Sequence, residues 1–92
     1  MKLNLTFLKP FSDVVGKKET TIEFEKESVE ELLEKLVEDH PGLKEHFKED
    51  DGSFTNYLSI FVNDKPISAL DDIATKVKDG DTLLFFFPVA GG

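Results

Sequence analysis

The sequence contains 92 residues, of which 39% are hydrophobic, and it has nine Phe, no Trp and no Cys. A chain of this length suits one domain with a single core, which can fold without cross-links. The lack of cysteine excludes disulfides, thiolate catalysis and zinc–thiolate sites. The net charge of −8, from 19 acidic and 11 basic residues, argues against nucleic acids and anionic membranes as partners.

The sequence also lacks the hallmarks of a membrane or secreted protein. It has no run of about 18 apolar residues, the length needed to span a bilayer. The N-terminal residues do not show the apolar core of a signal peptide. We therefore expect a cytoplasmic protein, monomeric when free.

Two alternating segments near the N-terminus predict a pair of strands. Lys2 to Leu8 places Leu3, Leu5 and Phe7 on one face, and Thr20 to Glu25 repeats the alternation of apolar and polar residues. We expect the two strands to pair as an antiparallel hairpin. The long connection between them contains Phe11 to Val15, which suits one helical turn closed by Gly16.

A well-marked helix follows these strands. Ser28 and Glu31 have the spacing of a capping box. The apolar residues after Ser28 recur with helical spacing and form one stripe. This stripe consists of Val29, Leu32, Leu33, Leu36 and Val37. Pro41 disfavours the helical conformation at His40, so we predict a helix from about Ser28 to Asp39.

The remaining elements complete the fold. Leu43 and Phe47 suggest a short further turn, and the pattern then predicts strands at Tyr57–Asn63, Lys65–Ile67 and Thr82–Phe87. The order β-β-α-β-β-β, with the first and last strands as parallel neighbours, is that of a β-grasp. We therefore predict an α+β fold, with a mixed sheet of four to five strands and one main helix packed across it.

The last strand is apolar on both of its faces. Alternation places Leu83 and Phe85 opposite Leu84 and Phe86. One helix covers only one face of a small sheet. If Leu83 and Phe85 face the helix, Leu84 and Phe86 form an exposed apolar patch, which is typical of a protein interface.

The chain ends in Pro88-Val89-Ala90-Gly91-Gly92. Proline has no N–H to continue a sheet, so we expect a β-grasp domain at residues 1–87 and a flexible tail at residues 88–92. Two glycines carry no Cβ, and a narrow channel in a partner can therefore admit this backbone. We interpret the tail, from Pro88 through Val89 and Ala90, as partner-binding, with Gly91 and the Gly92 carboxylate as the reactive end.

The sequence offers little else for chemistry. His40 and His46 are six residues apart and would point in different directions on one helix, so we predict no metal site. No nucleophile–base pair is recognisable, and no Gly-rich loop could hold ATP phosphates. We therefore predict a protein that is not itself an enzyme and binds no cofactor.

The strand that ends in Phe86-Phe87-Pro88, followed by Val89-Ala90-Gly91-Gly92, resembles the small subunit of molybdopterin synthase, the MoaD family. The resemblance covers the whole chain, including the Ser28-capped helix. The acidic stretch from Glu49 to Gly52 makes the chain most similar to the archaeal branch of the family, which includes the small archaeal modifier proteins.

The resemblance implies chemistry at Gly92. A separate ubiquitin-activating-type adenylating enzyme uses ATP to convert the terminal carboxylate to an acyl-adenylate. A sulfur donor then gives a thiocarboxylate, which supplies sulfur to molybdopterin together with the large subunit of molybdopterin synthase. Alternatively, a lysine of a target protein captures the acyl group as an isopeptide.

Three functions therefore stay open from the sequence. The chain is a sulfur carrier for the molybdenum or tungsten cofactor, a ubiquitin-like modifier of lysines, or a passive β-grasp binding module with an incidental Gly-Gly end. The first two share all the residues named above, and one protein can serve in both.

Overall fold

The computed structural model describes residues 1–55 and 57–88. In these residues a five-stranded sheet is crossed on one face by the longest helix, α2. The strands are β1 (Lys2–Phe7), β2 (Glu19–Glu23), β3 (Ser59–Val62), β4 (Lys65–Pro66) and β5 (Thr82–Phe86). The α-helices are α1 (Phe11–Val15), α2 (Val29–Asp39) and α3 (Lys44–Phe47). Short 3₁₀ helices occupy Pro41–Leu43, Ile67–Ala69 and Asp72–Ala74.

The strand order in the sheet is β2-β1-β5-β3-β4. The neighbouring strands β1 and β5 are parallel, and the other pairs are antiparallel. This arrangement confirms the predicted β-grasp, with the first and last strands side by side in the interior of the sheet. None of the helices in the described residues is long and apolar enough to cross a bilayer.

The start of α2 is fixed by the predicted capping box. The Ser28 hydroxyl accepts a hydrogen bond from the Glu31 amide at 3.2 Å, and the Glu31 carboxylate accepts from the Ser28 amide at 3.2 Å. These two bonds satisfy backbone groups that the first turn of a helix leaves unpaired. The hydrogen bond from the Ser28 hydroxyl, followed by that from the Glu27 amide, lowers the pKa of Glu31.

The core lies between α2 and the inner face of the sheet. From the helix, Val29, Leu32, Leu33 and Leu36 are buried, as the stripe predicted. From the sheet, the buried set includes Leu3, Leu5, Phe7, Leu83 and Phe85. Phe7 and Phe85 stack across the parallel β1–β5 pair with ring centroids 5.1 Å apart. This contact links the first and the last strand of the chain within the core.

The strands β2, β3 and β5 are each shorter than the sequence pattern predicted. β2 stops at Glu23, and the Phe24 amide donates to the carbonyl of Met1, the first residue of the chain. β3 begins at Ser59, which pairs with Phe86, the last residue of β5. Phe87 lies beyond β5, and its ring packs against Phe11.

The start of β5 is held by a polar cluster. Gly80 adopts a left-handed conformation with φ 87°, which a residue with a Cβ rarely takes. The flanking carboxylates accept backbone hydrogen bonds, Asp79 from the Lys2 amide at 2.6 Å and Asp81 from the Lys78 amide at 2.8 Å. These bonds fix the register in which the last strand enters the sheet.

We predict that Ser28→Ala lowers the free energy of unfolding by about 1 kcal/mol, the usual value of an N-cap. Urea denaturation at neutral pH measures this loss. The folded-state pKa of Glu31 is lowered, so its contribution is present above its unfolded pKa and is lost as the pH falls through its folded pKa. The difference between wild type and Ser28→Ala should therefore narrow at acid pH. A difference independent of pH would contradict the role of Glu31.

Candidate functional site

Four apolar side chains meet on the sheet face opposite α2, and we call them the outer patch. They are Phe61, Pro66, Leu84 and Phe86. All four are half-buried, whereas their strand neighbours Leu83 and Phe85 are completely buried on the helix side. Leu83 and Phe85 therefore face the helix, which is the condition that the sequence analysis left open, and Leu84 and Phe86 are half-buried rather than fully exposed.

The strand register brings the outer patch together from three strands. Leu84 of β5 lies opposite Phe61 of β3, and Phe61 lies opposite Pro66 of β4. Directly opposed residues in a sheet point to the same face. Phe86 lies two residues beyond Leu84 on β5, hence on the same face, and its ring centroid is 5.7 Å from that of Phe61. The patch is therefore a continuous apolar surface in the described residues.

The outer patch adjoins a groove at the β3–β4 edge of the sheet, and the groove is lined by both apolar and polar residues. Phe61 and Pro66 line both surfaces. The half-buried side chains of Phe54, Leu58 and Ile73 also line the groove. Its polar lining includes Ser53, Ser68 and Asp72.

The last described residues show how the chain leaves the sheet. The ring of Phe87 packs against Phe11 of α1 with centroids 4.7 Å apart, and lies 6.3 Å from the His46 ring of α3. Pro88 follows and is exposed. Phe87 therefore anchors the chain immediately before the predicted tail. The predicted partner-binding residues Val89 and Ala90, and the predicted reactive residues Gly91 and Gly92, lie outside the described residues.

The two histidines are on different elements. His40 ends α2, and His46 lies within α3, with its ring edge-on to Phe11 at 5.9 Å. Within residues 1–55 and 57–88, no three side chains of the metal-binding types form a cluster. His46 is thus part of the aromatic packing around Phe87.

The sequence reasoning did not identify Phe61 and Phe87 as site residues. Phe61 lies between Ile60 and Val62, so strict alternation along β3 already places it on the face opposite the helix. The contact between Phe61 and Phe86 depends on the β3–β5 register, which alternation does not fix. Phe87 was predicted as the end of a strand, and only the packing of α1 and α3 shows it as an anchor.

The chain is similar in sequence to known proteins. The sequence model of the ThiS family matches residues 5–92. Small archaeal modifier protein 3 of Haloferax volcanii is 33% identical over the full length of both chains.

Solved structures show the same fold. The crystal structure of small archaeal modifier protein 1 from Haloferax volcanii superposes with a TM-score of 0.83 over the full length of both chains at 22% identity. A chain in the complex of subunits 1 and 2 of molybdopterin-converting factor from Helicobacter pylori is 25% identical, with a TM-score of 0.60 and full coverage of both chains.

We predict that the adjacent variants Phe85→Ala and Phe86→Ala differ in stability. Phe85 is completely buried, so its truncation should lower the free energy of unfolding by about 3–5 kcal/mol. Phe86 is half-exposed, and its truncation should cost about 1–2 kcal/mol, because less apolar area returns to water. Urea denaturation of the two variants provides the comparison. Equal losses would show that both faces of β5 are equally packed.

Proposed function

The chain belongs to the ThiS family of ubiquitin-like carriers and modifiers, and we propose that it carries sulfur on the carboxylate of Gly92. In the first step, a carboxylate oxygen attacks the α-phosphorus of ATP, pyrophosphate leaves, and an acyl-adenylate forms. Hydrosulfide, released by a sulfur donor, then attacks the carbonyl carbon, and AMP leaves with the electron pair of the broken C–O bond, which gives the thiocarboxylate after loss of the S–H proton. A separate adenylating enzyme binds the ATP and performs the first step.

One observation carries this proposal: the outer patch lies on the strand that leads directly into the tail. Phe86 contributes to the patch, Phe87 is anchored on Phe11, and Pro88 is exposed. A partner that covers the patch therefore sits beside the start of the tail. Five residues from Pro88 to Gly92, fully extended, reach about 17 Å, which suits a reactive end placed deep in that partner.

The proposed destination of the sulfur is molybdopterin, with the large subunit of molybdopterin synthase as the second partner. The support is the likeness to a subunit of molybdopterin-converting factor, which was solved in complex with the other subunit. In this proposal the outer patch serves both partners in turn, because each must receive the same tail.

A second function is favoured by the relative that is 33% identical over its full length, which is itself named a modifier. In that reaction, the ε-amine of a lysine on a target protein attacks the acyl-adenylate. AMP leaves and an isopeptide bond forms at Gly92. The activation step and the outer patch are the same for both routes.

We predict that deletion of Gly91 and Gly92 abolishes activation and leaves the fold intact. Both glycines follow the last strand, which ends at Phe86, and the contact of Phe87 with Phe11 is kept in the truncated chain, so the melting temperature should not change. ATP–pyrophosphate exchange with the cognate adenylating enzyme measures activation. A matched control carries one alanine after Gly92, which keeps both glycines and moves the carboxylate, and it should also lose exchange. Exchange by the truncated chain at the wild-type rate would disprove the role of Gly92.

We further predict that Phe86→Ala weakens binding to the adenylating enzyme by about 2 kcal/mol or more, as for an interface anchor. The control is Val37→Ala, which truncates a half-buried apolar side chain on α2, in the other layer of the fold. Calorimetric titration at a temperature where all variants are folded gives affinity per folded molecule. Equal affinities for wild type and Phe86→Ala would show that the enzyme does not bind at the outer patch.

A further inference from the structure

The strand β2 forms one edge of the sheet and has a free row of backbone groups. The Phe7 amide donates to the Lys18 carbonyl, and the Phe24 amide donates to the Met1 carbonyl. Because bonding alternates along an antiparallel pair, even-numbered residues of β2 bond to β1. The N–H and C=O groups of Glu19, Thr21 and Glu23 therefore point away from the sheet. Among the described residues, no backbone hydrogen bond uses them.

The two edges of the sheet differ in their capacity to pair. The opposite edge is β4, which has two residues, and one of them is Pro66. A short strand with proline protects an edge against pairing. By contrast, β2 has five residues in an unbroken register with β1, from Glu19↔Thr6 to Glu23↔Lys2, and contains neither proline nor a bulge. β2 is thus the regular open edge of the described sheet.

A groove lies beside this edge, between the end of β2 and the exposed side of α2. Its lining is rich in carboxylates, including Glu23, Glu25 and Glu38. These three form no ion pair among the described residues. Two lysines also line the groove: Lys35, whose charge is compensated by Asp39 at 3.0 Å, and Lys26, which forms no ion pair among the described residues. The groove therefore has an excess of negative charge next to free backbone donors and acceptors.

We propose that β2 binds an extended segment of another protein that carries lysine or arginine at alternate positions. Its backbone would pair with the free groups of Glu19, Thr21 and Glu23 as an added strand, which is an established mode of peptide recognition. Alternate side chains of such a strand point to one face, so cationic residues would lie over the carboxylates of the groove. The partner is thus defined by an extended backbone and positive charge.

A second copy of this chain is a poorer occupant of the edge. Each copy carries a net charge of −8, so two copies repel each other. Symmetric antiparallel pairing centred on Thr21 would place Glu19 of each copy opposite Glu23 of the other, and like charges directly opposite destabilise a sheet. A basic segment has neither disadvantage. The proposed contact is separate from the outer patch and does not require Gly92.

The test compares Thr21→Pro with Thr21→Val. Both variants lose the hydrogen bond from the Thr21 hydroxyl to Asn4. Because the backbone groups of Thr21 do not bond to β1, both should keep the pairing of β2 with β1. Only proline removes the outward N–H. The probe is a blocked hexapeptide of alternating Lys and Val, and the control peptide replaces Lys with Glu. NMR amide hydrogen exchange is measured in the wild type and both variants, with and without peptide.

We expect the Lys–Val peptide to slow exchange of the Glu19, Thr21 and Glu23 amides several-fold in the wild type. Thr21→Val should respond in the same way, and Thr21→Pro should show no protection at Glu19 or Glu23. The double variant Glu25→Gln/Glu38→Gln should bind the peptide more weakly.

Three results would overturn the proposal. The first is no protection of these amides by the Lys–Val peptide. The second is equal protection by the Glu–Val peptide or in Thr21→Pro. The third is protection that rises with protein concentration in the absence of peptide, which would identify a second copy as the occupant.

Discussion

The side chains of β5 alternate between two environments, and both faces of this strand are apolar. Leu83 and Phe85 enter the core beneath α2, where Phe85 stacks on Phe7 of the parallel strand β1. Leu84 and Phe86 remain on the face that the single helix cannot reach. The hydrophobic effect favours removal of apolar surface from water. The inward side chains of this strand therefore stabilise the fold, and its outward side chains favour binding to a partner.

The position of the tail follows from the same strand. β5 is the last element of the sheet, and Phe87 fixes the direction in which the chain leaves it by packing against Phe11. The short helices α1 and α3 contribute Phe11 and His46, and the contacts of these rings with Phe87 hold the chain where it leaves the sheet. In the proposed function this arrangement separates binding from chemistry. The folded domain is held by its outer patch, and the reaction takes place at a distance from the core.

Much of this architecture could be predicted from local sequence patterns. Ser28 and Glu31 mark the start of α2 because a capping box is a contact between residues close in sequence. Features that depend on contacts between residues far apart in the sequence could not be predicted from these local patterns. The contact of Phe61 with Phe86 requires the β3–β5 register. The 3₁₀ segment that begins at Asp72, where φ is 52°, has no periodic signal. The assignment of Val89 to Gly92 as partner-binding and reactive residues remains a prediction.

The most direct test of this account is mass spectrometry of the protein isolated from its native cells, with thiols and thioacids trapped during lysis. The account predicts that a fraction of the C-terminal peptide has sulfur in place of one oxygen at Gly92. If the modifier route also operates, lysines of other proteins will carry a remnant of this chain linked through Gly92, which after trypsin digestion runs from Asp79 to Gly92 because Lys78 is the last basic residue. A C-terminal peptide that contains only the unmodified carboxylate, together with no such remnant, would contradict the proposal that Gly92 is the reactive group.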